Sequence, residues 1–341
     1  MLVLSAADIA NVVATFSPDL LTGMMAFVFV GMTGKDGVQC PQRTTVTSSN
    51  YDALIMPSSI DTLGTAVKIV CVPKERTIHG LPASTLLLDK KTGALRALIN
   101  ASSLTALRTG AGSALATNLV GPTVPHVLLC FGAGKQTDAH IDILLRAFPS
   151  FNHCIIVNRT KNDRLAMLHS SLERRFPDVQ FTLGCAVEGI GLDAFDLQHA
   201  VEAADVICTA TSSKKPLFQS QWVKVGTHIN LVGSYTPHMA EVDDALIRRA
   251  GRVLVDSKYA CLHEAGELLS AGISMDEMVE VGEITHVDGT GLHDEVIRLK
   301  SAGDITIFKS VGIATQDNVI AHAVVDKATS MGIGTHIPAY D

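Results

Sequence analysis

Val127-Leu-Leu-Cys-Phe-Gly-Ala-Gly-Lys-Gln-Thr-Asp-Ala-His-Ile-Asp-Ile-Leu-Leu145 passes from an apolar run, through a glycine-punctuated turn, into a helical pattern. Val127 to Phe131 reads as a buried strand, and apolar residues recur at helical spacing after Gly134. A dinucleotide pyrophosphate needs that order. Gly132 permits the tight turn, Gly134 lets backbone approach phosphate, and the helix end offers free N–H groups with a partial positive charge. Thr137 stands where the usual fingerprint has a third Gly, so the flanking strand and helix carry the reading. Gly132, Ala133, Gly134, Lys135, Gln136 and Thr137 are the expected residues around the phosphates. A second apolar run, Cys154 to Val157, ends in Asn158-Arg159-Thr160 at about the distance where such folds meet the adenosine ribose. NAD sites usually place an acid there. Arg159 and Thr160 suit a 2′-phosphate instead, so NADPH is the expected cofactor, with NADH possible.

Working outward, strand-like runs at Phe181–Leu183, Val206–Thr209, His228–Leu231 and Arg252–Val255 alternate with helix-like segments. Alternation of this kind predicts an α/β domain with a parallel, doubly wound Rossmann sheet over residues 126–314. Ligands bind at the carboxyl ends of such strands. Thr209, Ala210 and Thr211, and further on Val232, Gly233 and Ser310, are therefore expected at the cofactor. Residues 1–125 mix shorter signals. A helix opens at Ser5, and Met24–Val30, Arg43–Thr47, Ala66–Val72 and Ser84–Leu88 read as strands. Lys90-Lys-Thr-Gly93 reads as a hairpin turn before Ala94–Ile99. Ala101–Leu119 is Ala-rich and helical in pattern, Gly121–Pro125 resembles a linker, and Gln316–Thr329 reads as a helix packing back on the first part. The expected division is a mixed α+β substrate domain of 1–125 with 315–341, and the Rossmann domain between.

Composition narrows the function classes. The 341 residues are 47% hydrophobic and 18% charged with a formal net charge of −7, which disfavours a nucleic-acid partner. The 7 cysteines are odd in number and form no CxxC pair. They read as free thiols in a reducing compartment, with no metal site. No basic region precedes an apolar core at Met1, and the apolar stretch Met24–Met32 is short and Gly-broken, so the cytosol and no membrane are expected.

Pro41-Gln-Arg43, Met56-Pro57, Ala66-Val-Lys68, Leu107-Arg-Thr-Gly-Ala111, Gly132-Ala-Gly134, Asn158-Arg-Thr160, Gly226-Thr-His-Ile-Asn230, Val255-Asp256, Glu264-Ala-Gly-Glu267 and Phe308-Lys-Ser310 occur in order along nearly the whole chain. Together they resemble the ornithine cyclodeaminase/μ-crystallin family. The resemblance implies a homodimer whose N-terminal domain, completed by the C-terminal helix, carries substrate and dimer contacts. It also implies that Arg43, Lys68 and Arg108 bind the substrate carboxylate and carry the chemistry, with Met56 and Thr109 beside them. The residues agree: a cation such as Lys68 between Val67 and Ile69 is costly unless it meets an anion. Arg presents a planar fork to a carboxylate, whereas Lys is a point charge able to relay a proton.

Two departures from the family pattern bear on substrate. Cyclodeaminases carry an Asp shortly after the Gly of the stretch matching Val232–Pro237; here Ser234 and Tyr235 stand there. They also place a Glu just before the Met-Pro pair, where this chain has Leu54 and Ile55. A distal ammonium would lose its partner. The expected reaction is therefore NAD(P)H-dependent reduction of a small cyclic imino acid, Δ1-pyrroline-2-carboxylate to L-proline or Δ1-piperideine-2-carboxylate to L-pipecolate. Ser234 and Tyr235 are expected near the imine nitrogen. The alternatives are an ornithine or lysine cyclodeaminase, an alanine dehydrogenase, or a non-catalytic small-ligand binder like μ-crystallin in its hormone-binding role. His140 and His228 read as packing residues, Glu264 and Glu267 as a helical pair without metal partners, and Asp317 as a cap of the last helix.

Overall fold

The computed structural model describes residues 1–34, 37–75, 80–185 and 195–340. In chain order the elements are β1 (Leu2–Leu4), α1 (Ala6–Val13), α2 (Pro18–Gly34), β2 (Val38–Gln39), β3 (Thr44–Thr47), β4 (Tyr51–Ile60), β5 (Gly64–Pro73), β6 (Ala83–Leu88), β7 (Leu95–Asn100) and α3 (Leu104–Val120). Then follow β8 (Val127–Phe131), α4 (Lys135–Ala147), β9 (His153–Asn158), α5 (Asp163–Arg175), β10 (Gln180–Cys185), α6 (Leu197–Ala203), β11 (Val206–Thr209) and β12 (His228–Leu231). The chain continues through α7 (Asp244–Arg249), β13 (Val253–Val255), α8 (Lys258–Glu264), α9 (Gly266–Ser270), β14 (Met278–Glu280), α10 (His293–Lys300), β15 (Thr306–Lys309), α11 (Ala314–Met331) and β16 (Thr335–His336).

These make two 8-stranded sheets. The second runs β10-β9-β8-β11-β12-β15-β13-β14, and all its pairings are parallel. Both of its faces are covered, so its strands are near-continuous apolar runs, as in Cys154–Val157. Strand order reverses between β8 and β11, which opens a crevice at their carboxyl ends. The first sheet runs β16-β1-β7-β6-β5-β4-β2, with β3 on β4. Its long strands alternate buried with half-buried residues, as in β5, because only one face packs on helices. α11 lies in the core beneath this sheet, with Val324 and Ala328 buried.

One reading of the sequence needs correction, and two strands add to it. Met24–Val30 lies within the 17-residue α2 and is no strand. An unbroken apolar run does not separate a buried helix from a strand; Pro18 at the helix start and the run's length decide it. β4 and β15, unread in the sequence, are strands. In β4 the central Pro57, which cannot donate to a neighbour, hid the pattern. The structure accommodates it at an interruption: β3 pairs with β4 as far as Ile55, and β2 resumes at Ser59. The connecting residues 40–43 leave the sheet there, and Arg43 is among them.

Candidate active site

Met56, Lys68 and Thr85 stand opposite one another on β4, β5 and β6, all on the face turned to the core. Lys68 is 2% exposed. Its Nζ lies 2.6 Å from Asp317 Oδ2 on α11. Arg108, buried on α3, donates from Nε to Asp317 Oδ1 at 3.2 Å and from Nη1 to Gln316 Oε1 at 2.9 Å. One carboxylate thus anchors two cations. Burial pushes the Lys68 ammonium down to about 8, with Asp317 acting against that shift and Arg108 adding to it. Asp317 is no helix cap. It is the anion that lets two cations occupy a core.

Arg43 completes the set from the opposite wall. Its Nε donates to Glu264 Oε1 at 2.8 Å and its Nη2 to the Val311 carbonyl at 2.9 Å; Nη2 also meets the other Glu264 oxygen. The segment 310–312 is held in turn by Asp256, whose Oδ2 accepts from Ser310 Oγ at 2.8 Å, Val311 N at 3.0 Å and Gly312 N at 2.7 Å. Gly312 has φ +81°, and a Cβ there would lie 2.6 Å from both Nη atoms of Arg108. Only glycine fits. Three cations face two carboxylates, Asp317 and Glu264, which leaves one positive charge in excess.

The pocket around these groups is lined by Arg43, Met56, Lys68, Arg108, Thr109, Tyr235 and Ser310 among others, with Leu54, Val70, Val72, Leu81 and Val232 as apolar walls. No Asp or Glu is among its described lining residues. Burial raises the Tyr235 phenol above its ordinary value, so it is neutral there. Gln136, expected at the phosphates, lines this pocket, and so do Val232 and Ser310. Ser234 departs from the expectation altogether. It is buried, donates to the Met239 carbonyl at 3.0 Å and accepts from Gly266 N at 3.3 Å.

Beside the pocket a crevice of about 660 Å³ opens at the ends of β8, β9 and β11. Gly132, Ala133 and Gly134 form one wall, Asn158, Arg159 and Thr160 another, and Ala210 and Thr211 a third. Gly132 has φ +116°, and a Cβ would sit 2.8 Å from Thr137 Oγ1 and 2.9 Å from the Ala210 carbonyl. Gly134 caps α4 without a side-chain bond and faces open space. Bare amides at a helix start, in a crevice also lined by Arg159, fit a dinucleotide. Arg164 and Lys215 also line the crevice and were not read from the sequence. Lys135 is exposed and outside the described lining. Thr137 is buried against Gly132. The Thr209 hydroxyl turns inward to Glu241 at 2.7 Å. Neither Thr meets the crevice.

His140 and His228 are buried, as packing residues would be. His140 joins Ser113 Oγ at 3.0 Å to the Gln136 carbonyl at 2.7 Å, and His228 meets Thr306 Oγ1 at 2.8 Å. Glu264 and Glu267 do not form one pair: Glu264 serves Arg43, and Glu267 meets Lys309 Nζ at 3.1 Å.

This arrangement, a Rossmann crevice beside a cationic pocket with apolar walls, defines a nicotinamide-dependent enzyme class. Residues 3–332 match the model of the ornithine cyclodeaminase/mu-crystallin family, and the chain belongs to that family. It is 34% identical over 302 residues to the ketimine reductase mu-crystallin of Mus musculus, covering 86% of this chain and 87% of that one. It is 32% identical to a Delta(1)-pyrroline-2-carboxylate reductase of Bacillus cereus, covering 87% and 88%. Among solved structures it is similar to the Thermococcus litoralis Delta(1)-pyrroline-2-carboxylate reductase in complex with NADH and L-proline. The TM-score is 0.84, with 25% identity over 99% of this chain and 100% of that one.

Proposed function

We propose that this chain is an NAD(P)H-dependent imine-reducing oxidoreductase. It converts a small cyclic imino acid, Δ1-pyrroline-2-carboxylate or Δ1-piperideine-2-carboxylate, to the corresponding L-amino acid, with NADPH preferred. One observation carries the substrate class. The pocket holds a single uncompensated positive charge among apolar and neutral polar walls, which matches a monocarboxylate on a small ring. A distal ammonium finds no carboxylate among the described lining residues, and Tyr235 occupies the position of the cyclodeaminase Asp. The named relatives are imine reductases, which supports the coarse class.

Arg108 commits Nε to Asp317 and Nη1 to Gln316, which leaves Nη2 for a ligand carboxylate. Lys68 and Arg43 would share that carboxylate, and Leu54, Val72 and Tyr235 would exclude water from the ring. Such positioning is worth several kcal/mol of barrier. The bound nicotinamide supplies the hydride. Gly132, Ala133 and Gly134 would hold the pyrophosphate, and Arg159 and Thr160 the 2′-phosphate. Lys68, poised near neutrality by burial, is the proton relay nearest the carboxylate site.

The outer face of the first sheet supports a homodimer. Val3, Leu98, Leu86, Val67 and Pro57 lie in one register row across β1, β7, β6, β5 and β4. All are only half-buried, although the open face of an antiparallel sheet is ordinarily polar. A second copy of the chain would cover this row.

Steady-state oxidation of NADPH and NADH with each imine tests the reading. Turnover of one of the two imines is expected, with the higher kcat/KM on NADPH. Ammonia release from ornithine without imine reduction would make the chain a cyclodeaminase. Tight binding of a hydrophobic ligand with no turnover would make it a binding protein.

A further inference from the structure

Glu241, on the segment after β12, is wholly buried. Its Oε2 accepts from Thr209 Oγ1 at 2.7 Å and Gly233 N at 2.8 Å, and its Oε1 from Thr211 N at 2.6 Å and Thr211 Oγ1 at 2.8 Å. The donors are all neutral. Lys309 commits its own Nζ to the Ser234 carbonyl at 2.6 Å and to Glu267. Burial raises the Glu241 pKa, and the charge of Lys309 and the threonine bonds oppose the rise. An ionised carboxylate accepts four such bonds, whereas a glutamine amide accepts two and turns N–H groups toward other N–H groups.

The donors come from two places. Thr209 ends β11 and Thr211 follows it, and Gly233 follows β12. The two segments touch so closely that a Cβ on Gly233 would lie 2.2 Å from the Thr211 carbonyl and 2.4 Å from Glu241 Oε1. The β11 segment also abuts the dinucleotide turn, through the Ala210 carbonyl against Gly132. On one side Thr211 lines the cofactor crevice; on the other Val232 lines the substrate pocket. These segments separate crevice from pocket, where a nicotinamide must lie to face the imine carbon.

We propose that Glu241 is a positioning residue for the nicotinamide end of the site, clamping the segment 209–211 to 232–234 at the separation that hydride transfer requires. The assignment rests on the NAD(P)H reading. It predicts that the nicotinamide half and the adenosine half of the cofactor respond differently to one substitution.

The experiment compares wild type, E241Q and T211V by two binding readouts and one rate. ADP-ribose affinity by calorimetry reports the adenosine and pyrophosphate contacts. The change in NADPH fluorescence on binding reports the nicotinamide surroundings. Single-turnover reduction of Δ1-pyrroline-2-carboxylate reports hydride transfer. For E241Q, ADP-ribose affinity is expected within about twofold of wild type, the fluorescence change is lost, and hydride transfer slows about a hundredfold, as for a misplacement of order 1 Å. T211V shifts the same two readouts in the same direction by less. Equal weakening of ADP-ribose and NADPH by E241Q would overturn the assignment in favour of general destabilisation. Unchanged fluorescence and rate in E241Q, or in T211V if E241Q does not fold, would also overturn it. Should wild type bind NADPH but reduce no cyclic imine, the substrate reading fails while the fluorescence still decides the role of Glu241.

Discussion

The two sheets deliver their chemistry from different places. In the parallel sheet every functional group sits at or beyond a strand's carboxyl end, because both faces are packed and strand interiors have no open side. In the first sheet the chemistry comes from mid-strand. Lys68 lies within β5, opposite Met56, on the single face that packs against helices. Their buried carboxylates differ accordingly. Asp317 beneath the first sheet is bonded by two charged side chains, and Glu241 at the end of the second is bonded by hydroxyls and amides, with the charge of Lys309 acting from further off. The first arrangement tunes charge and leaves a positive remainder for a ligand. The second fixes geometry.

Removing the Asp317 charge should break this comparison most severely. D317N leaves Lys68 and Arg108 buried without their counter-ion, and a urea titration should show a loss of about 3–5 kcal/mol. A loss no larger than that of a surface substitution would deny the charge-balancing role. R108M removes a carboxylate donor, and kcat/KM for the cyclic imine should fall by roughly 2–5 kcal/mol in transition-state terms. If kcat/KM holds while stability drops, Arg108 is a structural cation only. At the far end of the crevice, R159D should raise KM for NADPH about tenfold, the value of one lost charge-assisted contact, with NADH little changed. Equal loss with both cofactors would remove the 2′-phosphate assignment.

The smallest effect concerns pH. Burial brings the Lys68 ammonium down to about 8, so its grip on a carboxylate is stronger below that value and fades as pH rises through it. KM for the imine should climb above pH about 8 and stay flat over the same range in K68R, whose guanidinium does not titrate. A wild-type profile indistinguishable from that of K68R would mean that Lys68 does not contact the substrate.

Much of the parallel sheet was legible because its signals are local. Apolar runs, the Gly132 turn with its positive φ and the Asn158-Arg159-Thr160 strand end each lie within a few residues. The first sheet was harder. The α2 segment is apolar all round and carries no period, and β4 is interrupted by Pro57 at the gap from which Arg43 emerges. Serine and threonine hydroxyls misled at Thr209 and Ser234, since a hydroxyl at a strand end serves a buried carboxylate or carbonyl as readily as a ligand, and the chain does not say which.

By itself the sequence determined the Rossmann half, the dinucleotide turn and the existence of costly cations at Lys68 and Arg108, because backbone propensity, glycine sterics and the desolvation of an apolar-flanked charge are written in adjacent residues. Only the tertiary structure decided what those cations meet. Asp317 lies 209 residues from Arg108 and Glu264 lies 221 from Arg43, and no period or spacing links positions so distant. Folding brings α11 beneath β5, and α8 up to the loop before β3. The net charge of the pocket, on which the proposed substrate class rests, follows from that packing.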